Sequence, residues 1–330
     1  MKTYLTTTQS LCRTCRRLIP AQVILEGGSV WFHKICPEHG FQKARVHGDA
    51  DAYMKLGDYH SPATIPQEFA TASHGCPDSC GLCPDHEQHV CLPILEITDH
   101  CNLECPVCLV DILSAMFQPA AYNGNGAHME RPLDATTTSD VIRGLKGAGK
   151  GTVAPGDFSP LPCSHPACFS LAFYLKGDGG RFLPIKQLVS PERYLGLIQN
   201  RAIFGTDADS FQQVTDAVYD IWAGIPSPAN NRLTPSSGGC EPGCDCNPFL
   251  SEQALKSIRK LLATATVGGY SPRKAMETGE RAVKSIFIHQ FMDPDTFDLA
   301  RARKCCQVYP QPDGRLMPAC VFNNLRRGRS

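Results

Sequence analysis

Three cysteines in the stretch LEITDHCNLECPVCLV, Cys101, Cys105 and Cys108, stand at the spacing C-x3-C-x2-C behind a short apolar run. Thiolates packed that closely are metal ligands. Three of them on one loop can hold three irons of a [4Fe–4S] cube, which leaves the fourth iron to be accounted for. It is either open to a small molecule or closed by a residue from elsewhere in the chain, and the spacing alone leaves both arrangements open.

Other thiols fall into comparable groups. Cys12 and Cys15 (CRTC) precede Cys36 and His39 (CPEH), with AQVILEGGSVWFHK between them reading as a hairpin that turns at Gly27-Gly28. That layout is a zinc ribbon, predicting a tetrahedral zinc or a single iron at Cys12, Cys15 and Cys36, with His39 the weaker fourth ligand. GCPDSCGLCPDHEQHVC repeats C-x3-C-x2-C at Cys76, Cys80 and Cys83 and adds Cys91. Ligation by thiolates alone, with Gly81 easing the backbone, suits an iron–sulfur cluster or an all-cysteine zinc site. Cys163, Cys168, Cys305, Cys306 and Cys320 lie further along, and Cys240, Cys244 and Cys246 have no assigned role.

Positioning these groups requires short elements. LPILEIT is a candidate buried strand that launches the Cys101 loop from its end, as α/β barrels launch their active-site loops. Helical patterns begin at SPERYLGLIQN, DSFQQVTDAVYDIWAG and SEQALKSIRKLLATA. SIFIH reads as a strand, DTFDLARARK as a helix, and Pro-Asp-Gly at 312–314 as a turn. Residues 109–155 read as turn-rich.

Composition sets the class. The 330 residues carry 32 basic and 32 acidic side chains and 42% apolar content, which describes a globular chain with no charge excess for nucleic acid. The N-terminal segment lacks the apolar core of a secretory signal, and no apolar run is long enough to cross a bilayer. The expectation is a cytoplasmic protein, with peripheral membrane contact left open. In a reducing compartment the 18 cysteines point to metals rather than disulfides.

CNLECPVC at the end of a strand resembles the cluster loop of radical S-adenosylmethionine enzymes. SLCRTCRR, CPEHG, GCPDSCGLCPDH, SHPACFSLAF and the cysteine-bearing C-terminal block together resemble the tetraether lipid synthase branch of that superfamily. The resemblance implies that Cys101, Cys105 and Cys108 bind the [4Fe–4S] cluster to which S-adenosyl-L-methionine attaches. Reductive cleavage to a 5′-deoxyadenosyl radical would follow, then carbon-centred radical chemistry such as coupling of lipid tails. It also implies mononuclear iron or zinc at Cys12, Cys15 and Cys36, and auxiliary ligands at Cys76, Cys80, Cys83 and Cys91. A second auxiliary set would be Cys163, Cys168, Cys305 or Cys306, and Cys320. The partners implied are a small-molecule or lipid substrate and an electron donor such as ferredoxin or flavodoxin, with no nucleic acid.

The sequence departs from that family in one region. About fifty residues separate Cys108 from DFSPLPC, whereas six βα units would take roughly 190, scaling from a full barrel. The Gly-Gly-Glu stretch that binds the cofactor's amino group is missing, since GGCEPG is interrupted by Cys240 and lies too far along. Val107 stands where the family often has an aromatic residue. The expected fold is therefore α+β with at most a partial α/β barrel: a mononuclear module over 1–60, an auxiliary loop and the first barrel strand over 61–111, a loop-rich junction over 112–155, and a C-terminal iron–sulfur domain over 156–330. Two further functions stand beside the enzyme: an inactive metal-binding remnant, and a zinc-binding interaction module. Among other residues, Asp295 is expected to cap a helix with Asp293 and Asp298 solvated. His289 reads as a half-buried strand-end residue, and His165 as a surface or hydrogen-bonded one. GLKGAGKGT lacks phosphate-loop spacing.

Overall fold

A computed structural model describes residues 2–59, 65–90, 92–94, 114–123, 126–149, 151–161, 164–176, 182–187 and 283–327. It is a mixed α+β structure. The N-terminal part is an antiparallel meander of β1 (Lys2–Leu11), β2 (Leu18–Glu26), β3 (Ser29–Cys36) and β4 (Gly40–His47), paired in that order. Alternation in β2 and β3 turns Ala21, Val23, Val30 and Phe32 to one buried face. The β2–β3 turn falls at Gly27-Gly28 as the sequence predicts. Both residues have positive φ, +60° and +73°, as a type I′ hairpin requires.

A four-stranded sheet in the order β6 (Ser114–Phe117), β9 (Val283–His289), β7 (Phe169–Lys176), β8 (Phe182–Pro184) forms a second body. β6 and β9 are parallel and the other pairs antiparallel. Helix α2 (Thr138–Ala148), which follows the short α1 (Ala50–Met54), lays Val141, Ile142 and Leu145 against Ala172, Tyr174 and Ile288. Burying a side chain such as Ile288 completely contributes about 1.5–3 kcal/mol.

α2 corrects the turn-rich expectation for 109–155. Thr137 and Asp140 form a capping box, and Thr137 N–H donates to Asp140 Oδ2 at 2.8 Å. The run of threonines looked like loop because hydroxyl residues favour turns and helix starts alike. Gly144 and Gly147 of the GLKGAGKGT stretch lie inside this helix. Among the described residues no barrel closes, and the Cys101 loop with which the expected barrel fragment begins lies outside them.

A three-stranded sheet joins β11 (Leu316–Pro318) to β10 (Gln307–Pro310), and β10 in parallel to β5 (Leu92–Pro93). The predicted strand at SIFIH and turn near Gly314 are present, and the helix expected over DTFDLARARK is present over its second half only, as α3 (Leu299–Arg303). The candidate helices over 190–200, 209–224 and 251–265 lie outside the described residues, as does most of the LPILEIT strand.

Segment 290–327 holds these pieces together. Leu11 of β1, Cys80, Met292, Phe297, Leu299, Ala302, Met317, Cys320 and Val321 share one core. Lys34, 1% exposed, reaches from β3 to donate to the carbonyls of Leu11 (2.7 Å), Asp295 (2.9 Å) and Pro294 (3.2 Å). Asp298, not Asp295, caps α3, accepting from Ala300 N–H and from Thr8 Oγ1. Asp293, Asp295 and Asp298 are all buried rather than solvated. Asp295 pairs with Arg13 at 2.8 Å, and Asp293 pairs with Arg131 and accepts from Thr296. These carboxylates are occupied by structural partners.

His47, at the end of β4, is buried against Tyr53, with Nδ1 2.7 Å from the Asp49 carbonyl oxygen. Burial holds its pKa below the usual histidine value. The unfolded chain therefore binds a proton near pH 6.5 that the folded chain refuses, so stability falls as pH drops through that range. His47→Gln is expected to flatten the decline in melting temperature between pH 7 and pH 5; an unchanged slope would remove His47 as its source.

Candidate metal centre

Two tight knuckles build the best-formed site. In the first, Arg16 N–H donates to Cys12 C=O and Cys12 N–H to Arg17 C=O, and the turn closes on Arg16 with φ +60°. In the second, the chain leaves Cys36 and His39 through Gly40 with φ +68°. The β-meander brings the knuckles face to face. The Sγ atoms of Cys12, Cys15 and Cys36 and a ring nitrogen of His39 all lie within 4.8 Å of one another.

The spacings fit one ion. Zinc bound tetrahedrally at about 2.3 Å to sulfur and about 2.0–2.1 Å to nitrogen sets S···S edges near ~3.8 Å and S···N edges near ~3.6 Å. The observed values are 3.9 Å for Cys15–Cys36, 3.7 Å for Cys12–His39 Nδ1 and 3.4 Å for Cys36–His39 Nδ1. His39 therefore completes the set through Nδ1, a stronger part than the sequence suggested.

Burial opposes ionisation of Cys12, but the backbone N–H of Cys15, the Gln42 amide and the Thr14 N–H bring its pKa down to about 6. Gln42 Nε2 lies 3.0 Å from that sulfur, and its Oε1 accepts from Arg13 N–H, fixing the amide's orientation. Arg17 pairs with Glu38 across the knuckles.

A second group gathers Cys76, Cys80 and Cys83. The S–H of Cys80 draws the Cys76 pKa down, and the same contact together with burial pushes Cys80 up; burial also raises Cys83. This loop is tied to the end of α3 by Glu87 N–H to Arg303 C=O (2.8 Å) and by His86 Nε2 at 3.0 Å from the Cys305 carbonyl oxygen. Arg326 donates to Asp78 C=O at 2.7 Å.

The third group lines a small pocket. Cys168, Cys305, Cys306 and Cys320 meet there with Arg301 and His289. Burial pushes the Cys305 thiol up to about 11 and Cys320 higher still, and both feel the charge of Cys168. Both adjacent cysteines line this pocket, and Cys306 packs in one core cluster with Cys168. His289 is fully buried rather than half-buried, stacked on Phe169 at 4.0 Å and 7°, and burial and the Arg301 charge lower its pKa to about 3. His165 Nδ1 accepts from Ala167 N–H at 3.2 Å, the hydrogen-bonded role expected of it. None of the ten described cysteines is in a disulfide.

Residues 4–48 match the model of one family, described as the HMPTM N-terminal zinc ribbon domain. This region is a zinc ribbon. The chain is also 39% identical over 104 residues to the 7,8-dihydro-6-hydroxymethylpterin dimethyltransferase of Methanocaldococcus jannaschii. That stretch is 32% of this chain and 21% of the relative, so the chain spans about a fifth of the curated relative it matches. Among the described residues no helix is long and apolar enough to cross a membrane.

Sequence reasoning found the zinc ribbon's cysteines from their spacing but missed Gln42. No local signal marks a glutamine three residues past His39; only pairing β4 with β3 puts its amide on Cys12. Cys91, Cys101, Cys105, Cys108, Cys163, Cys240, Cys244 and Cys246 lie outside the described residues. The structure thus brings together the zinc-ribbon set, the Cys76–Cys83 set, and Cys168 with Cys305, Cys306 and Cys320.

Proposed function

We propose that this chain is a metalloprotein of the radical S-adenosylmethionine kind, whose chemistry is methyl transfer to a small heterocycle of the pterin class. The observation that carries this reading is the 39% identity over 104 residues to a pterin dimethyltransferase, in a chain that also bears C-x3-C-x2-C at Cys101, Cys105 and Cys108. The activity for which that relative is named favours a pterin-class acceptor over the lipid tails implied by sequence resemblance.

Cys12, Cys15, Cys36 and His39 would hold zinc or a single iron as a structural staple, with no open position for substrate. Cys101, Cys105 and Cys108 would hold the cluster that takes S-adenosylmethionine, and the Cys76 and Cys168 groups would hold auxiliary clusters. Bound together, such a cluster and cofactor supply one-electron cleavage of a C–S bond and a radical able to open an unactivated C–H bond. The residues around the third group contribute a dry, thiol-lined wall, since Cys168, Cys320 and Met292 are all buried. An external electron donor of the ferredoxin or flavodoxin type is part of the proposal.

A second reading, a metal-binding chain without turnover, draws support from the short interval between Cys108 and Asp157. One experiment separates the two. The chain is reconstituted anaerobically with iron and sulfide, reduced, and assayed for conversion of S-adenosylmethionine to 5′-deoxyadenosine and methionine. Cleavage that Cys101→Ala abolishes is the expected result; bound iron with no cleavage would replace the enzyme by the metal-binding chain.

A further inference from the structure

Arg301 is an arginine in the wrong place for its charge. It is 5% exposed on α3, and no carboxylate among the described residues forms an ion pair with it. Nη2 donates to the Gln290 carbonyl at 2.9 Å and lies 3.5 Å from Cys168 Sγ. Nε is buried with no hydrogen-bond partner. The charges that reach the guanidinium are the sulfurs of Cys168 and Cys320 and, beyond them, Asp298, whose carboxylate already caps α3 and accepts from Thr8.

A buried cation needs an anion, or its desolvation is uncompensated. Here the guanidinium meets only a backbone carbonyl and the Cys168 sulfur, and its Nε–H has no acceptor. The pocket therefore makes electrostatic sense when its sulfurs are thiolates on a group that carries net negative charge. A [4Fe–4S] core with cysteinate ligands is such a group, and the unused Nε–H is a donor left over for it. The donor set and the orphaned N–H both fit.

We propose that Arg301 is the charge-compensating residue of the cluster held by Cys168, Cys305 and Cys320, and that its buried guanidinium raises that cluster's reduction potential. This rests on the reading that these cysteines bind a cluster. One-electron reduction adds a negative charge to the pocket, and a fixed cation beside the ligating sulfur stabilises the reduced form more than the oxidised one. Net charge and hydrogen bonds to sulfur are the general controls on such potentials. Arg301 acts through Cys168 and touches no reacting atom, so it is a positioning and tuning residue.

The test is a potentiometric titration of the reconstituted full-length chain with dithionite as reductant, followed by electron paramagnetic resonance. The signal of this cluster is identified as the one lost in Cys320→Ser. Arg301→Gln is expected to lower its midpoint by at least a tenfold change in the reduced-to-oxidised ratio, equivalent to about 59 mV for one electron. Arg301→Lys, which keeps the charge, should stay near the native value. Native chain labelled with 15N-arginine provides a readout that needs no neutral variant: the reduced cluster should show a nitrogen coupling that Arg301→Lys removes.

A cluster present with an unmoved midpoint in Arg301→Gln, or with no arginine coupling in the native chain, overturns the inference alone. A native chain that loses no signal in Cys320→Ser overturns the cluster assignment beneath it.

Discussion

Removing the metal from the zinc ribbon is expected to unfold residues 2–48 while the β6–β9–β7–β8 sheet stays ordered. The meander buries only a small core around Ala21, Val23, Val30 and Phe32, and its far end is closed by Cys12, Cys15, Cys36 and His39 rather than by apolar packing. Structural zinc in a site of this kind contributes about 10 kcal/mol of folding free energy, more than so small a core can supply. Chelation should release one metal ion per chain, and hydrogen exchange should then report loss of protection across β1 to β4. Cys36→Ser should reproduce it. Protection that survives in the metal-free chain would mean that the contacts with residues 294–298 hold the ribbon folded without an ion.

The second large effect belongs to Arg131. Its Nε meets Asp293 Oδ2 at 2.8 Å, and Nη2 donates to the Arg45 carbonyl at 2.9 Å. Both side chains of the pair are nearly inaccessible, at 10% and 5%. Arg131→Met leaves the Asp293 carboxylate buried with the Thr296 N–H and hydroxyl as its remaining donors and no cation in contact. Breaking a buried pair from one side costs about 3–5 kcal/mol, because the surviving charge stays desolvated. Denaturant unfolding of the single variant should show that loss, and Asp293→Asn combined with Arg131→Met should recover a large part of it. A double variant no more stable than Arg131→Met would show that the carboxylate's desolvation is not the cause.

How far the sequence could be read depended on whether the signal was local. The knuckles at Cys12–Cys15 and Cys36–His39, the Gly27-Gly28 turn, the strand ending at His289 and the helix through Arg301 each depend on neighbours a few residues apart, and each is visible in the letters. The helix at Thr138–Ala148 was hidden because Thr137 and Asp140 are equally good turn residues, and a cap declares itself only when the helix behind it forms. In MDPDTFD the cap reads as Asp295, with Asp293 and Asp298 solvated, because the partners of these acids, Arg13, Arg131 and Thr8, are far away in sequence. The meeting of Cys168 with Cys305 and Cys320, and the placing of Arg301 among them, likewise depend on β7 pairing with β9 across a long separation. Spacing cannot show such contacts, because the residues that make them share no local pattern.

The reach of Lys34 has a consequence for biosynthesis. Its acceptors at Pro294 and Asp295 lie 260 and 261 residues further along the chain. At about 5–20 residues per second, a ribosome delivers them roughly 13–52 seconds after Lys34 itself has emerged. For that interval the nascent ribbon carries an ammonium group that has yet to find its socket, so the N-terminal meander can take up its ion early but seats on residues 294–295 only after they have been made. Seating Lys34 on these carbonyls thus closes a long loop, a step whose entropy cost is separate from the zinc ribbon's own local folding.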